Sequence, residues 1–259
     1  MAILLMALPF VLVLIAYALG SEARRAVNPA DKLLPAPAQI VGTAVRVATE
    51  PDKRSGEIVF WKDTAASLQR LALGVGIGAA LGLIFGLSIG LLPVMRAALN
   101  TFVTVLSMVP PLAILPILFI IFGLGELSKV ALIAIGVTPF LIRDLSARTA
   151  ELPFEQIIKA QTLGASSLAI GLRVALPQIM PRLIQAVRLA LGPAWLFLIA
   201  AEAIASEDGL GYRIFLVRRY LAMDVILTYV VWITFIAFVL DWCLAKLSRR
   251  LYPWAELAP

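Results

Sequence analysis

The chain has 259 residues, 61% of them hydrophobic and 15% charged, with a net charge of +6 and a mean hydropathy of +0.97. A soluble domain is nearer half apolar and about one-quarter charged, so too little polar surface remains to cover a water-soluble particle, whereas lipid as solvent accepts an apolar exterior. The absence of histidine excludes a Ser-His-Asp triad, a Cys-His pair and a His-ligated metal, and the single Cys243 cannot close an internal disulfide.

A bilayer core about 30 Å thick takes about 20 apolar residues as helix, and six stretches reach that scale. The first, Ala2–Gly20, carries no charge. No basic residue precedes it and its apolar run is long for a signal peptide, so it reads as a retained span. Residues 21–63 hold Pro29, Pro35, Pro37, Pro51 and mixed charges, which makes them a solvated extracytoplasmic segment. Residues 64–250 form the core. Its second span, about Ala65–Leu92, is interrupted only by Gln69 and Arg70 near its start. The third is Thr101–Phe122, and the fourth Val130–Ile142, extended to about Leu145. A long connection over residues 146–188 leads to the fifth, about Leu189–Ala205; the sixth is about Val225–Leu247, before a tail over residues 251–259. The predicted fold is therefore all-α, a polytopic membrane protein of about six transmembrane helices. Basic residues lie between apolar runs without interleaved aromatics, so they face headgroups and partners, and nucleic acid is not an expected partner. They divide too evenly to orient the chain; the Lys246–Arg250 cluster alone favours a cytoplasmic carboxyl terminus.

Gly74, Gly78, Gly82, Gly86 and Gly90 recur every four residues in the second span. Each lies about 40° past the last, so they trace a narrow winding stripe on which another backbone can approach closely. That stripe is a helix-packing seam, with a pore wall or a subunit interface as the sharper alternative. Pro110, Pro111 and Pro116 break up the third span, and broken helices in transporters often mark substrate passage. Thr101, Thr104 and Ser107 would supply hydroxyls on that path. Ionisable residues within spans are functional candidates. Glu202 and Asp144 would pair with a basic residue or touch substrate, Asp241 lies inside the sixth span, and Arg143 marks the cytoplasmic boundary.

The most informative segment runs from Phe154 to Pro181. Phe154–Leu163 reads as a short helix, Gly164 fits a left-handed helix terminus, and Ser166 or Ser167 can cap a following helix that ends before Pro177. Aliphatic side chains exposed at such a turn imply a partner surface or a membrane interface. The run resembles the cytoplasmic coupling loop of binding-protein-dependent ABC transporter permeases, whose pattern is Glu-Ala-Ala, three residues, Gly, nine residues, Ile-x-Leu-Pro. Here Ala160, Gly164 and Val174-Ala175-Leu176-Pro177 stand at the family spacing, while Ile158 and Lys159 replace the Glu and the first Ala. Three further runs are similar to the nitrate/sulfonate/taurine-type permeases, in the right order: LLPAPAQIV from Leu33, PPLAILPILFIIFGLGELSKV from Pro110 and AEAIASEDGLGYRI from Ala201.

The resemblance implies a type I ABC importer permease with a MetI-like fold, in the inner membrane and with both termini cytoplasmic. It implies a second permease copy, forming a homodimer, ABC ATPase subunits at the coupling loop and an extracytoplasmic substrate-binding protein. Leu163, Ala165 and Leu168 would fill the ATPase groove, and the loop would end at Leu176 and Pro177. ATP and Mg would sit on the partner ATPase, with no cofactor on this chain; agreeing with that, no G-x-x-x-x-G-K-[ST] phosphate loop occurs. The GELSKV and GLGYRIFLVRRY runs resemble the branch associated with urea-carboxylase genes, which implies urea or guanidine as substrate. The main rival is an ion-coupled secondary transporter, which needs midplane carboxylates and no aliphatic helix–turn–helix loop. A membrane-embedded enzyme would need a Ser/Lys or paired-Asp site, and no such spacing is present.

Overall fold

The computed structural model describes residues 2–28, 31–52 and 56–256, with side chains except at residues 2–7 and 256. Eleven α-helices follow one another among these residues: α1 (Ala2–Val27), α2 (Pro37–Thr49), α3 (Val59–Leu91), α4 (Pro93–Leu106), α5 (Leu115–Phe122), α6 (Glu126–Ala150), α7 (Phe154–Thr162), α8 (Ser167–Ile170), α9 (Leu176–Ile204), α10 (Leu210–Arg218) and α11 (Met223–Leu251). Among the described residues, α3, α6, the continuous run Ser167–Ile204 and α11 are long and apolar enough to cross a membrane. The segments Pro93–Leu106 and Pro111–Phe122, bent by 80°, make a fifth span if taken as one. The first predicted span falls on α1, where residues 2–7 lie outside the described side chains.

The core is built on the pair α3 and α6, the most extensive helix contact in the molecule. The glycine stripe explains it. A Cβ added at Gly74, Gly82 or Gly86 would stand 2.5–2.7 Å from Ile133, Leu141 or Leu145, and Gly78 and Gly90 are closed off as tightly by Val137 and Thr149. Ile133, Leu141 and Leu145 are fully buried against this seam, as is Leu198 of α9, which covers the other side of α6. The stripe therefore lies inside one chain, and neither a pore wall nor a subunit interface is left for it to form.

The segment through Pro110, Pro111 and Pro116 is broken, as the prolines predict, and it begins earlier than the expected Thr101. It starts at Pro93, stops after Leu106, and restarts as a 3-10 turn over Pro111–Ile114 before α5. Proline suits the first turn of a helix, where no N–H is needed, and here Pro93, Pro111 and Pro116 each open a piece. One expectation, that a helix ends before Pro177, needs correction. The helix after the glycine turn does not end there but continues to Ile204. Proline has no N–H to give the carbonyl of Arg173 and its ring crowds that carbonyl. The chain widens instead into a π-helical turn over Gly171–Ala175, closed by Leu176 N–H donating to the Gly171 carbonyl. The expected connection over residues 146–188 is thus mostly helix, the ends of α6 and α9 projecting beyond the apolar runs.

Candidate functional site

Where α4 breaks from α5, a cleft of about 710 Å³ opens against α6 and α9. Its lining includes Ser107, Pro139, Phe140, Arg143, Asp144 and Phe197. Local sequence shapes each wall. Pro139 sits inside α6 and cannot donate to Ile135, which also borders the cleft. The Phe197 ring lies against Gly136, where any Cβ would collide with it. Arg143 crosses the gap and donates from Nη1 to Ser107 Oγ at 2.9 Å, and that hydroxyl donates to the Thr104 carbonyl at 2.7 Å. The Asp144 carboxylate has Arg148 as its nearest cation, at 3.9 Å.

Of Thr101, Thr104, Ser107 and Glu202, expected on the pathway, Ser107 reaches the cleft, as does Asp144. Thr104 folds back to donate to the Asn100 carbonyl at 2.8 Å, and Thr101 is exposed away from the lining. Glu202 is fully buried at the opposite end of the bundle. There it accepts from Arg70 Nη1 at 2.8 Å, Ser67 Oγ at 2.7 Å and the Gly211 N–H at 2.8 Å. Arg70 also holds Glu126 and Asp208, while Lys129 donates to Glu126 at 2.8 Å and Ser206 Oγ at 3.1 Å. Beside it, Asp63 accepts from the Gly209 N–H at 2.9 Å and Arg213 Nε at 2.7 Å. Burial is the strongest influence and works against the Arg213 charge, but the bond to Asp63 and the attraction of nearby negative groups together outweigh it, and its pKa is raised. Gly209 has φ of 111°, and a Cβ there would meet the Glu202 carboxylate at 2.5 Å. So Glu202 takes the paired role and does not touch the cleft. Its partner, Arg70, passed in the sequence as a mere interruption of an apolar run, although an arginine in a span was itself the signal. Asp241 likewise has a partner, Arg188 of α9, in a fork of two bonds at 2.8 Å.

At the cleft end of α6 the chain leaves the bundle. After α7, Gly164 takes φ of 79°. Its N–H donates to the Gln161 carbonyl at 2.9 Å, and the Ala165 N–H to the Ala160 carbonyl at 3.0 Å. These two bonds are the Schellman pairing that satisfies a helix end, and they set Ala160 against Ala165. Ser166 caps the next helix, accepting from the Ala169 N–H at 3.3 Å. Leu163 and Leu168 flank the turn, 87% and 72% exposed. Leu176 is half-buried and Pro177 exposed, within the continuous helix.

Fold and cleft together define a multi-pass membrane permease. A family model described as a binding-protein-dependent transport system inner membrane component matches residues 78–253, and the chain belongs to that family. It is 35% identical over 221 residues to the taurine transport system permease protein TauC of Escherichia coli (strain K12), covering 85% of this chain and 80% of that one. It is 27% identical over 220 residues to the nitrate import permease protein NrtB of Leptolyngbya laminosa, covering 84% and 78%. A structure of inward facing conformations of the MetNI methionine ABC transporter superposes with a TM-score of 0.65 at 20% identity, over 74% of this chain and 95% of that one. The expected MetI-like fold is the one observed.

Proposed function

We propose that the chain is the membrane-spanning subunit of an ATP-driven importer for a small polar solute of the nitrate, sulfonate or taurine kind. Two copies form the pathway, an extracytoplasmic protein delivers the solute, and the turn at Gly164 docks on a cytoplasmic ATPase that binds ATP and Mg. The bundle end holding Glu202 and Arg70 then faces outward, and both termini lie in the cytoplasm. The observation carrying this reading is the pair of exposed leucines, Leu163 and Leu168, on either side of a glycine-closed turn beyond the apolar spans. Aliphatic surface of that kind is costly in water and calls for a protein groove.

A secondary transporter is less well supported, because the span carboxylates Glu202 and Asp241 are already held by arginines. The test is a cysteine placed at Leu163 in a Cys243→Ser background. It should cross-link to a co-expressed ATPase subunit, with the yield changing on ATP addition. A label reaching that cysteine from outside intact cells would overturn the orientation and the docking together.

A further inference from the structure

We propose that Arg143, with the hydroxyl of Ser107, is a transient binding site for the oxyanion group of the transported solute, on the inner half of the pathway. This inference rests on the importer reading above and names the ligand chemistry of its cleft. Three observations lead to it.

The first is position. Arg143 lies inside α6 (Glu126–Ala150), directly after the apolar run that ends at Ile142. Its guanidinium opens onto a cleft of about 710 Å³.

The second is its lack of a counter-charge. Arg70 and Arg188, two other arginines within spans, each grip carboxylates. Arg143 forms no salt bridge among the described residues, and the hydrogen-bond partner of its guanidinium is a neutral hydroxyl. Its neighbour Asp144 also borders the cleft, but it stands about 100° round the helix with Arg148 3.9 Å away. A cation in a span is tolerated where it faces a water-filled cavity, and such residues mark ion and substrate paths.

The third is donor geometry. With one nitrogen on Ser107, the rest of the guanidinium fork is available to an incoming group. A planar fork matches sulfonate, carboxylate or nitrate oxygens in pairs, which a lysine cannot do. The Ser107 hydroxyl now donates to the Thr104 carbonyl, and by rotating it can add a further donor to the anion. Guanidinium, the cationic substrate considered from the sequence, would be repelled here.

The test uses the full chain assembled with its ATPase in lipid nanodiscs, with phenylglyoxal modification of arginines followed by peptide mass spectrometry. Methanesulfonate is the probe, and dimethyl sulfone its neutral analogue at matched ionic strength. Methanesulfonate should slow modification of Arg143 several-fold and leave the exposed Arg148 and Arg219 unchanged, while dimethyl sulfone should protect none of them. Ser107→Ala should weaken that protection. Equal slowing at all three arginines, or protection by the neutral analogue, would overturn the site. If the ATPase assembles with the chain and Arg143 is unprotected, this inference alone fails. If the chain holds no ATPase, the importer reading fails, whatever Arg143 does.

Discussion

Adding one methyl group at Gly82 should loosen the bundle, although alanine is the better helix former. The new Cβ would lie 2.7 Å from Leu141 Cβ, whereas carbon atoms settle about 3.5–4.0 Å apart. Helices α3 and α6 would have to part by about 1 Å, and the seam leaves no slack, because Gly78 and Gly86 are closed against Val137 and Leu145 on either side. Overpacking of this kind costs ~1–3 kcal/mol. Exchanging glycine for alanine returns ~1 kcal/mol of helix propensity. Gly82→Ala therefore nets roughly 0–2 kcal/mol of destabilisation. Gly76 supplies the control on the same helix, since nothing lies within 4 Å of a Cβ there. Gly76→Ala should gain about 1 kcal/mol. The expected separation of roughly 1–3 kcal/mol corresponds to about 2–12 °C in Tm for a chain of this size. Thermal unfolding of the two purified variants in detergent, followed by tryptophan fluorescence, reads it directly. Should Gly82→Ala melt at or above Gly76→Ala, the seam would not be the close contact argued here.

Gly164→Val forces a β-branched residue to φ of 79°, at a strain of about 1–3 kcal/mol. Because the turn is exposed, the subunit should still reach the membrane, but ATP hydrolysis and uptake should come apart; paired ATPase and uptake assays decide it, and normal coupling would refute the role of Gly164. Arg70→Met strands the buried Glu202 and should cost about 3–5 kcal/mol, read as a large fall in Tm. The double variant Arg70→Met/Glu202→Met should recover part of that loss, and no recovery would show that the pair does not act as a unit. Arg143→Gln should lower uptake of a sulfonate by about tenfold, the worth of one charge-assisted hydrogen bond, with Arg143→Lys intermediate. Equal uptake by all three proteins in reconstituted vesicles would remove Arg143 from the path.

Local rules were legible in the sequence and distant pairings were not. Lipid demands long apolar helices, so α3, α6 and α11 could be placed from hydropathy within a few residues at their apolar centres. Gly164 could be read because a positive φ after a helix is a short-range requirement. The predicted fifth span starts at Leu189 because Arg182 and Arg188 read as loop charges; both are helical, and Arg188 is neutralised by Asp241. That pairing and the Arg70–Glu202 pair span 53 and 132 residues, distances at which spacing carries no information. Among the threonines and serines of the broken span, the direction of each side chain separated Ser107 from Thr101 and Thr104. Helical direction here depends on where α4 stops, which three clustered prolines do not specify.

The two ends of the bundle are built differently, and that difference suggests how force would pass through it. At the Glu202 end, the buried Arg70 joins α3, α6, α9 and the turn before α10 through its carboxylate partners. Down the middle, α3 and α6 are locked along the glycine seam. At the other end, proline divides α4 from α5, a π turn interrupts the helix entering α9, and the cleft lies open. The turn at Gly164 is joined on one side to α6 and on the other, through that π turn, to α9. Those two helices pack together as the wall of the cleft that faces the break between α4 and α5. Under the proposed coupling, displacement of the turn would move this wall toward or away from that break about the charged end as a fixed point, with α3 carried along by α6. The π turn that Pro177 keeps widened lies between the Gly164 turn and α9, so that rotation reaches α9 through it.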